Sequence, residues 1–64
     1  MEYRMIYPVN RWVSAEKLIS AAHDAIYNHN LDNPPPTNAQ EAIRLLQDLG
    51  EVTITAETRK NYHR

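Results

Sequence analysis

The segment from Pro34 to Ala56, PPPTNAQEAIRLLQDLGEVTITA, constrains the fold more than any other part of this chain. Its three prolines favour extended polyproline backbone and cannot lie inside a helix. Gly50, the only glycine in the chain, comes after a run of apolar residues at helical spacing. A glycine at this position commonly ends a helix, because it adopts the left-handed conformation without strain. The segment therefore predicts a helix between the prolines and Gly50.

The limits of this helix and the strand after it follow from local signals. The hydroxyl of Thr37 can cap the helix start, and Gln40 stands three residues later, at capping-box spacing. Apolar residues at helical spacing mark the face of the helix toward the core: Ala39, Ala42, Ile43, Leu45, Leu46 and Leu49. After Gly50, apolar residues alternate with threonines from Val52 to Ala56, which predicts a strand with one buried face.

The beginning of the chain predicts a first strand. Tyr3, Met5 and Tyr7 alternate with polar or outward positions, so we expect a strand from Glu2 to Tyr7. Pro8 ends this strand or confines it to an edge, since proline has no amide donor. Few residues of the chain are large and apolar, and we therefore favour a place in a thin core for Tyr3, Tyr7 and Trp12, with an interface as the alternative for Trp12.

A second amphipathic helix is predicted to run to about Asn28. Its cap is Ser14, with Val13 and Leu18 placed for a hydrophobic staple, or alternatively Asn10. Its apolar face consists of Ala15, Leu18, Ile19, Ala22, Ala25 and Ile26. Asparagine tolerates left-handed backbone, so the residues 28–30 suit a helix end, and a proline-rich connector follows.

These elements in order predict an α+β protein with a β-α-α-β unit. We expect two amphipathic helices packed on a short two-stranded sheet in residues 1–57, and a flexible basic tail in residues 58–64. A two-stranded sheet is marginal in water, and its free edges offer backbone groups for pairing with another chain. The sequence therefore favours a small domain that is completed by a partner.

Length and composition exclude several classes of protein. A chain of 64 residues forms one small domain of marginal stability, and it has no cysteine for disulfides or thiolate metal sites. No apolar run approaches the about 20 residues that a membrane helix needs, and the first residues are too polar for a secretory signal. We therefore expect a cytoplasmic protein with no membrane partner.

The sequence contains no pattern that is typical of catalysis. His23 and His29 lie six residues apart, which does not place them on one helical face for a metal ion. Ser14 is explained as a helix cap, and a single glycine cannot form a phosphate-binding loop. We expect a protein that is not an enzyme, with no catalytic residue, no metal site and no cofactor.

By elimination we expect a module that binds a larger protein as a regulator, inhibitor or adaptor. The candidate partner-binding residues are Tyr27, Arg59, Lys60, Tyr62 and Arg64. Tyr27 lies off the apolar face of its helix, and exposed tyrosines are favoured at interfaces. The segment from residue 58 to 64 is basic, whereas the rest of the chain has four basic and eight acidic residues, a net charge of −4.

Two alternatives remain open from the sequence. One is a small winged-helix-like regulator that binds DNA or RNA through Gln40, Arg44 and Gln47. The chain has a net charge of −1, however, and lacks the basic patch that is usual in proteins that bind nucleic acids. The other is a structural homodimer that joins the edge strands of two copies.

Overall fold

Three strands and two helices make up the part of the chain that the computed structural model describes, which is residues 1–60. The strands are β1 (Glu2–Tyr7), β2 (Arg11–Ser14) and β3 (Thr53–Arg59), and the helices are α1 (Ala15–Asn28) and α2 (Ala39–Asp48). The strands form one antiparallel sheet in the order β2-β1-β3. This is the predicted α+β class.

The sheet has three strands where two were predicted, because the chain turns back after Pro8 and forms β2 beside β1. The register places Tyr3 opposite Val13 and Arg4 opposite Trp12. Strand β2 has only four residues and continues directly into α1, with Ser14 as the helix cap. A strand this short shows too little alternation to be recognised beside a helix start.

The cap of α1 is Ser14, one of the two candidates, and not Asn10, whereas the cap of α2 lies one residue later than predicted. The side chain of Ser14 accepts a hydrogen bond from the amide of Lys17 at 3.2 Å. In α2 the cap is Asn38 rather than Thr37, and its side-chain oxygen accepts from the amide of Glu41 at 2.9 Å. The Glu41 carboxylate in turn accepts from the amide of Thr37 at 2.9 Å. Asn is at least as good a cap as Thr, and a carboxylate is a stronger acceptor than the amide of Gln40.

Strand β3 is longer than predicted and extends to Arg59. Thr58 and Arg59, the first residues of the predicted basic tail, therefore belong to the sheet, where Arg59 lies opposite Glu2. The pairing of β3 with β1 contains two register shifts, one on each side of Met5. Residues 61–64 lie outside the described residues.

The core lies between one face of the sheet and the two helices. Met5 and Val13 supply the buried side chains of the sheet, and they form one cluster with small and branched residues of the helices: Leu18, Ala22, Ala25, Ala42 and Leu46. Tyr3 and Ile54 are partly buried against this cluster. The helices contribute three fully or nearly fully buried alanines to this cluster, and such small side chains allow two packed helices to approach each other closely.

Both predicted helix ends that need left-handed backbone have it. Gly50, directly after the end of α2, has a φ of 75°, and Asn30, after α1, has a φ of 54°. Glycine and asparagine are the residues that adopt this conformation at least cost.

Candidate protein-binding face

The sheet has a second face, opposite the helices, which we call the outer face and define by Glu2, Arg4, Ile6, Trp12 and Arg59. Successive side chains of a strand point to opposite faces. Because Met5 and Val13 lie in the core, their neighbours along each strand point away from the helices. Arg59 joins this face because it lies opposite Glu2 in the register.

Trp12 lies on the outer face, whereas the position favoured from the sequence was the core, with an interface as the alternative. The assignment to the core is wrong: the side chain is only partly buried and does not belong to the core cluster. Val13 takes the inward position in β2, so the adjacent Trp12 faces outward. The indole ring then lies over the neighbouring strand instead of between sheet and helices.

Two arginines lie over the indole ring of Trp12. The guanidinium carbon of Arg59 is 4.5 Å from the ring centroid, and that of Arg4 is 5.4 Å from it. Both distances are within the range of a cation–π interaction. Arg59 also donates a hydrogen bond from Nε to the carboxylate of Glu2. All three strands therefore contribute to one cluster of aromatic and charged side chains.

The electrostatic state of the two arginines differs. Arg59 is paired with Glu2, whereas within residues 1–60 Arg4 forms no ion pair. Arg4 lies beside Trp12 with its positive charge uncompensated by a carboxylate of the described chain. A partner that offers a carboxylate would meet an available guanidinium at this position.

Exposed apolar side chains lie at the end of the sheet where β1 turns into β2. Ile6, Tyr7 and Val9 have exposed fractions of 48%, 54% and 50%. They lie within four residues at the turn between β1 and β2. Tyr7 was assigned to the core, and this assignment is also wrong, since the side chain is mostly exposed and does not belong to the core cluster. Of the aromatic residues predicted to lie in the core, Tyr3 alone packs against it.

The edges of the sheet are less available than the sequence suggested. On β3 the amide of Ile54 donates to Oε1 of Gln47 in α2 at 2.8 Å, and the amide of Glu57 donates to Oγ1 of Thr55 at 3.1 Å. Irregular register and occupied amides both hinder the addition of another strand. The other edge, β2, has only four residues. The outer face is therefore the more accessible surface of the sheet.

The structure separates the predicted partner-binding residues. Tyr27, with 85% of its surface exposed, lies near the end of α1 in the helical layer, so the sheet stands between it and the outer face. Arg59 belongs to the outer face, and Lys60 follows β3 directly. Tyr62 and Arg64 lie outside the described residues. Arg4 was missed as a binding residue and Trp12 was placed in the core in preference to an interface, because contacts across three strands leave no spacing signal in the sequence.

The residues of the nucleic-acid alternative lie together on α2. Gln40 and Arg44 are exposed, but the side chain of Gln47 is engaged with the amide of Ile54. Glu41 and Asp48 line the same shallow depression as these residues. Their carboxylates would lie near the phosphates of a bound nucleic acid, which opposes binding there.

Histidines and carboxylates are dispersed over the described chain. No group of three potential metal ligands occurs within residues 1–60. His29 lies 2.8 Å from the carboxylate of Glu51, and His23 lies 3.3 Å from the carbonyl oxygen of Pro36. In the same part of the chain, neither helix has the length and apolar character that crossing a membrane requires.

Comparisons with protein-family models, with curated proteins and with solved structures find no match for this chain. The geometry of the outer face is therefore the basis of the functional proposal that follows.

Proposed function

We propose that the protein is a non-enzymatic module that binds a larger protein through the outer face of its sheet and acts as a regulator, inhibitor or adaptor. The observation that carries this proposal is the position of Trp12, whose ring is contacted by two arginines on the face opposite the helices. Tryptophan and arginine are among the residues that contribute most to the affinity of protein interfaces.

The arrangement has the properties of a preorganised interface. Contacts with Arg4 and Arg59 restrict the rotamers of Trp12, and the pairing with Glu2 restricts Arg59 as well. Binding would then lose less side-chain entropy than it would with freely rotating side chains. A partner would also remove the exposed apolar end of the face from water, which contributes favourable free energy.

Binding would also stabilise the module itself. A domain of this size buries only about 60% of the surface that its unfolded chain exposes, so its own core supplies little excess stability. Any partner that binds the folded state alone adds stability in proportion to the logarithm of its concentration. A larger protein that covers the outer face would act in this way.

The test is capture of partners from a lysate of the source cell with the tagged full chain, with and without nuclease. Three baits are compared: the unchanged protein, Trp12→Ala and Tyr27→Ala. The Tyr27 variant removes an exposed aromatic side chain from the helical layer and is the matched control. We expect a protein that is captured despite nuclease, is lost with Trp12→Ala and is retained with Tyr27→Ala.

Other outcomes would replace the proposal. Loss of capture with Tyr27→Ala but not with Trp12→Ala would move the interface to α1. Capture that disappears with nuclease would support the nucleic-acid alternative. A bait that recovers only further copies of itself would support the homodimer, and the mass in solution at several concentrations would then establish its stoichiometry.

A further inference from the structure

The charges of the described chain are divided between its two layers. The segments that form the sheet and the first turn of α1, residues 1–17 and 53–60, carry five basic and three acidic side chains, a net charge of +2. The helical part between them, residues 18–52, carries one basic and five acidic side chains, a net charge of −4. The outer face therefore lies on the positive side of a protein whose overall charge is negative.

Within the outer face, the free positive charge is that of Arg4. Glu2 compensates Arg59, and both residues contact each other at the β1–β3 side of the face. Arg4 contacts the Trp12 ring and has no carboxylate partner within residues 1–60. A planar guanidinium held in this way presents two parallel N–H donors to a carboxylate.

An apolar contact site lies beside this charge. Ile6 follows Arg4 by two residues on the same face of β1, a separation of about 7 Å along the strand. The side chain of Ile6 is 48% exposed, so it is available for an apolar contact. Charge and apolar surface thus occur next to each other at the spacing of alternate residues in an extended chain.

We propose that the outer face binds an acidic and apolar segment of the partner protein. A carboxylate of this segment pairs with Arg4, and an apolar side chain nearby in the segment contacts Ile6. This inference rests on the proposed function and adds the chemistry of the partner. The charge complementarity between Arg4 and the carboxylate determines which partners bind, and the apolar contact adds affinity.

A nucleic acid fits the same face less well. Base stacking needs a free aromatic ring, but both arginines lie over the ring of Trp12. Glu2 on the same face would repel phosphates. A net charge of +2 in this part of the chain is also small for a surface that binds along the phosphate backbone of a nucleic acid. The carboxylates of a peptide require a single cation, which Arg4 supplies.

The experiment selects peptides from a displayed library of random sequences, about eight residues long to match the length of a strand, with the full chain as bait. Affinities of the selected peptides are measured by the fluorescence of Trp12, the only tryptophan of the chain. The variants are Arg4→Gln, Arg4→Lys and, as the matched control, Arg44→Gln on the exposed side of α2. A random single-stranded DNA is the second probe.

We expect selected peptides to combine Asp or Glu with a nearby large apolar residue. Arg4→Gln should weaken their binding about tenfold or more, since it removes a charged hydrogen-bond donor, and Arg44→Gln should not change it. Arg4→Lys should lose less than Arg4→Gln. Circular dichroism shows whether the glutamine variant is folded. If it is not, the comparison of Arg4→Lys with the unchanged protein still tests the role of Arg4.

Failure of this inference can be distinguished from failure of the proposed function. Selected peptides without acidic residues, or no selection at all, would overturn the acidic partner, while Trp12-dependent capture of a protein from lysate would still support the proposed function. Binding of the DNA that is tighter than that of any peptide and is lost with Arg4→Gln would overturn both.

Discussion

The two faces of the sheet are built from alternate residues of the same strands, yet they are suited to different tasks. Met5 and Val13 point inward and are buried against the helices, whereas Arg4 and Trp12 point outward and combine aromatic surface with charge. Residues that are adjacent in sequence therefore divide between folding and binding. This difference teaches that a small domain can keep its largest aromatic side chain outside the core and be stabilised by small residues inside.

The largest effect on stability is expected from Leu46→Ala, which tests the inner side of this comparison. Leu46 is 1% exposed, so the substitution leaves a cavity and should cost about 2–5 kcal/mol. Urea unfolding followed by circular dichroism measures the loss. A cost below about 1 kcal/mol would show that the core is not where the stability lies.

A somewhat smaller loss is expected from Ala22→Leu, which overfills the contact between the helices. Ala22 is 0% exposed, and the added side chain should cost about 1–3 kcal/mol because the helices must move apart. The matched control is Ala21→Leu, the exposed neighbour on α1. Thermal unfolding of both variants checks the prediction, and equal midpoints would contradict the close approach of α1 and α2.

Trp12→Ala should distinguish most clearly between the binding role of the outer face and the stabilising role of the inner face. It removes partly exposed surface and two cation–π contacts, so the expected loss of stability is about 1 kcal/mol, less than for Leu46→Ala. Capture of the partner should nevertheless be lost. The unfolding free energy and the captured amount are measured on the same preparation. If the unfolding free energy falls as much as it does for Leu46→Ala, the role of Trp12 is structural and not binding.

The smallest effect on stability is expected from Gln47→Ala. This variant tests whether the β3 edge of the sheet, and not only its two faces, has a protective role. The variant loses one hydrogen bond, about 0.5–1 kcal/mol, and frees the amide of Ile54. We expect concentration-dependent association of this variant through β3, while Gln40→Ala on the same helix remains unchanged. Light scattering over a concentration series detects it. Identical behaviour of the two variants would mean that Gln47 does not protect the edge.

The helices and the first strand could be predicted from the sequence because their signals are local. Strand β1 has its predicted bounds, α1 begins after Ser14, which was one of its two candidate caps, and Gly50 follows α2 in the left-handed conformation. Caps, helical spacing and glycine stops act within a few residues, and one sequence displays them completely. The cap of α2 differed by one residue, since Thr37 and Asn38 are both good caps.

The missing strand and the outer face depend on contacts between distant residues. Trp12 and Val13 are adjacent apolar residues, and their own order does not reveal which of them faces the helices; the register with β1 decides it. The contact between Trp12 and Arg59 joins opposite ends of the chain and has no sequence spacing. The outer face was therefore beyond prediction from the sequence, although Arg59 itself was a candidate.

The hydrogen bond between Ile54 and Gln47 has a consequence for the newly made chain. Proteins are synthesised from the N-terminus, so α2 leaves the ribosome before β3 does. The two residues are seven positions apart, and a loop this short closes far faster than the long loop that brings β3 to β1. We therefore expect the edge of β3 to obtain its protecting contact before the sheet is complete, so that the unfinished sheet is protected against pairing with another chain.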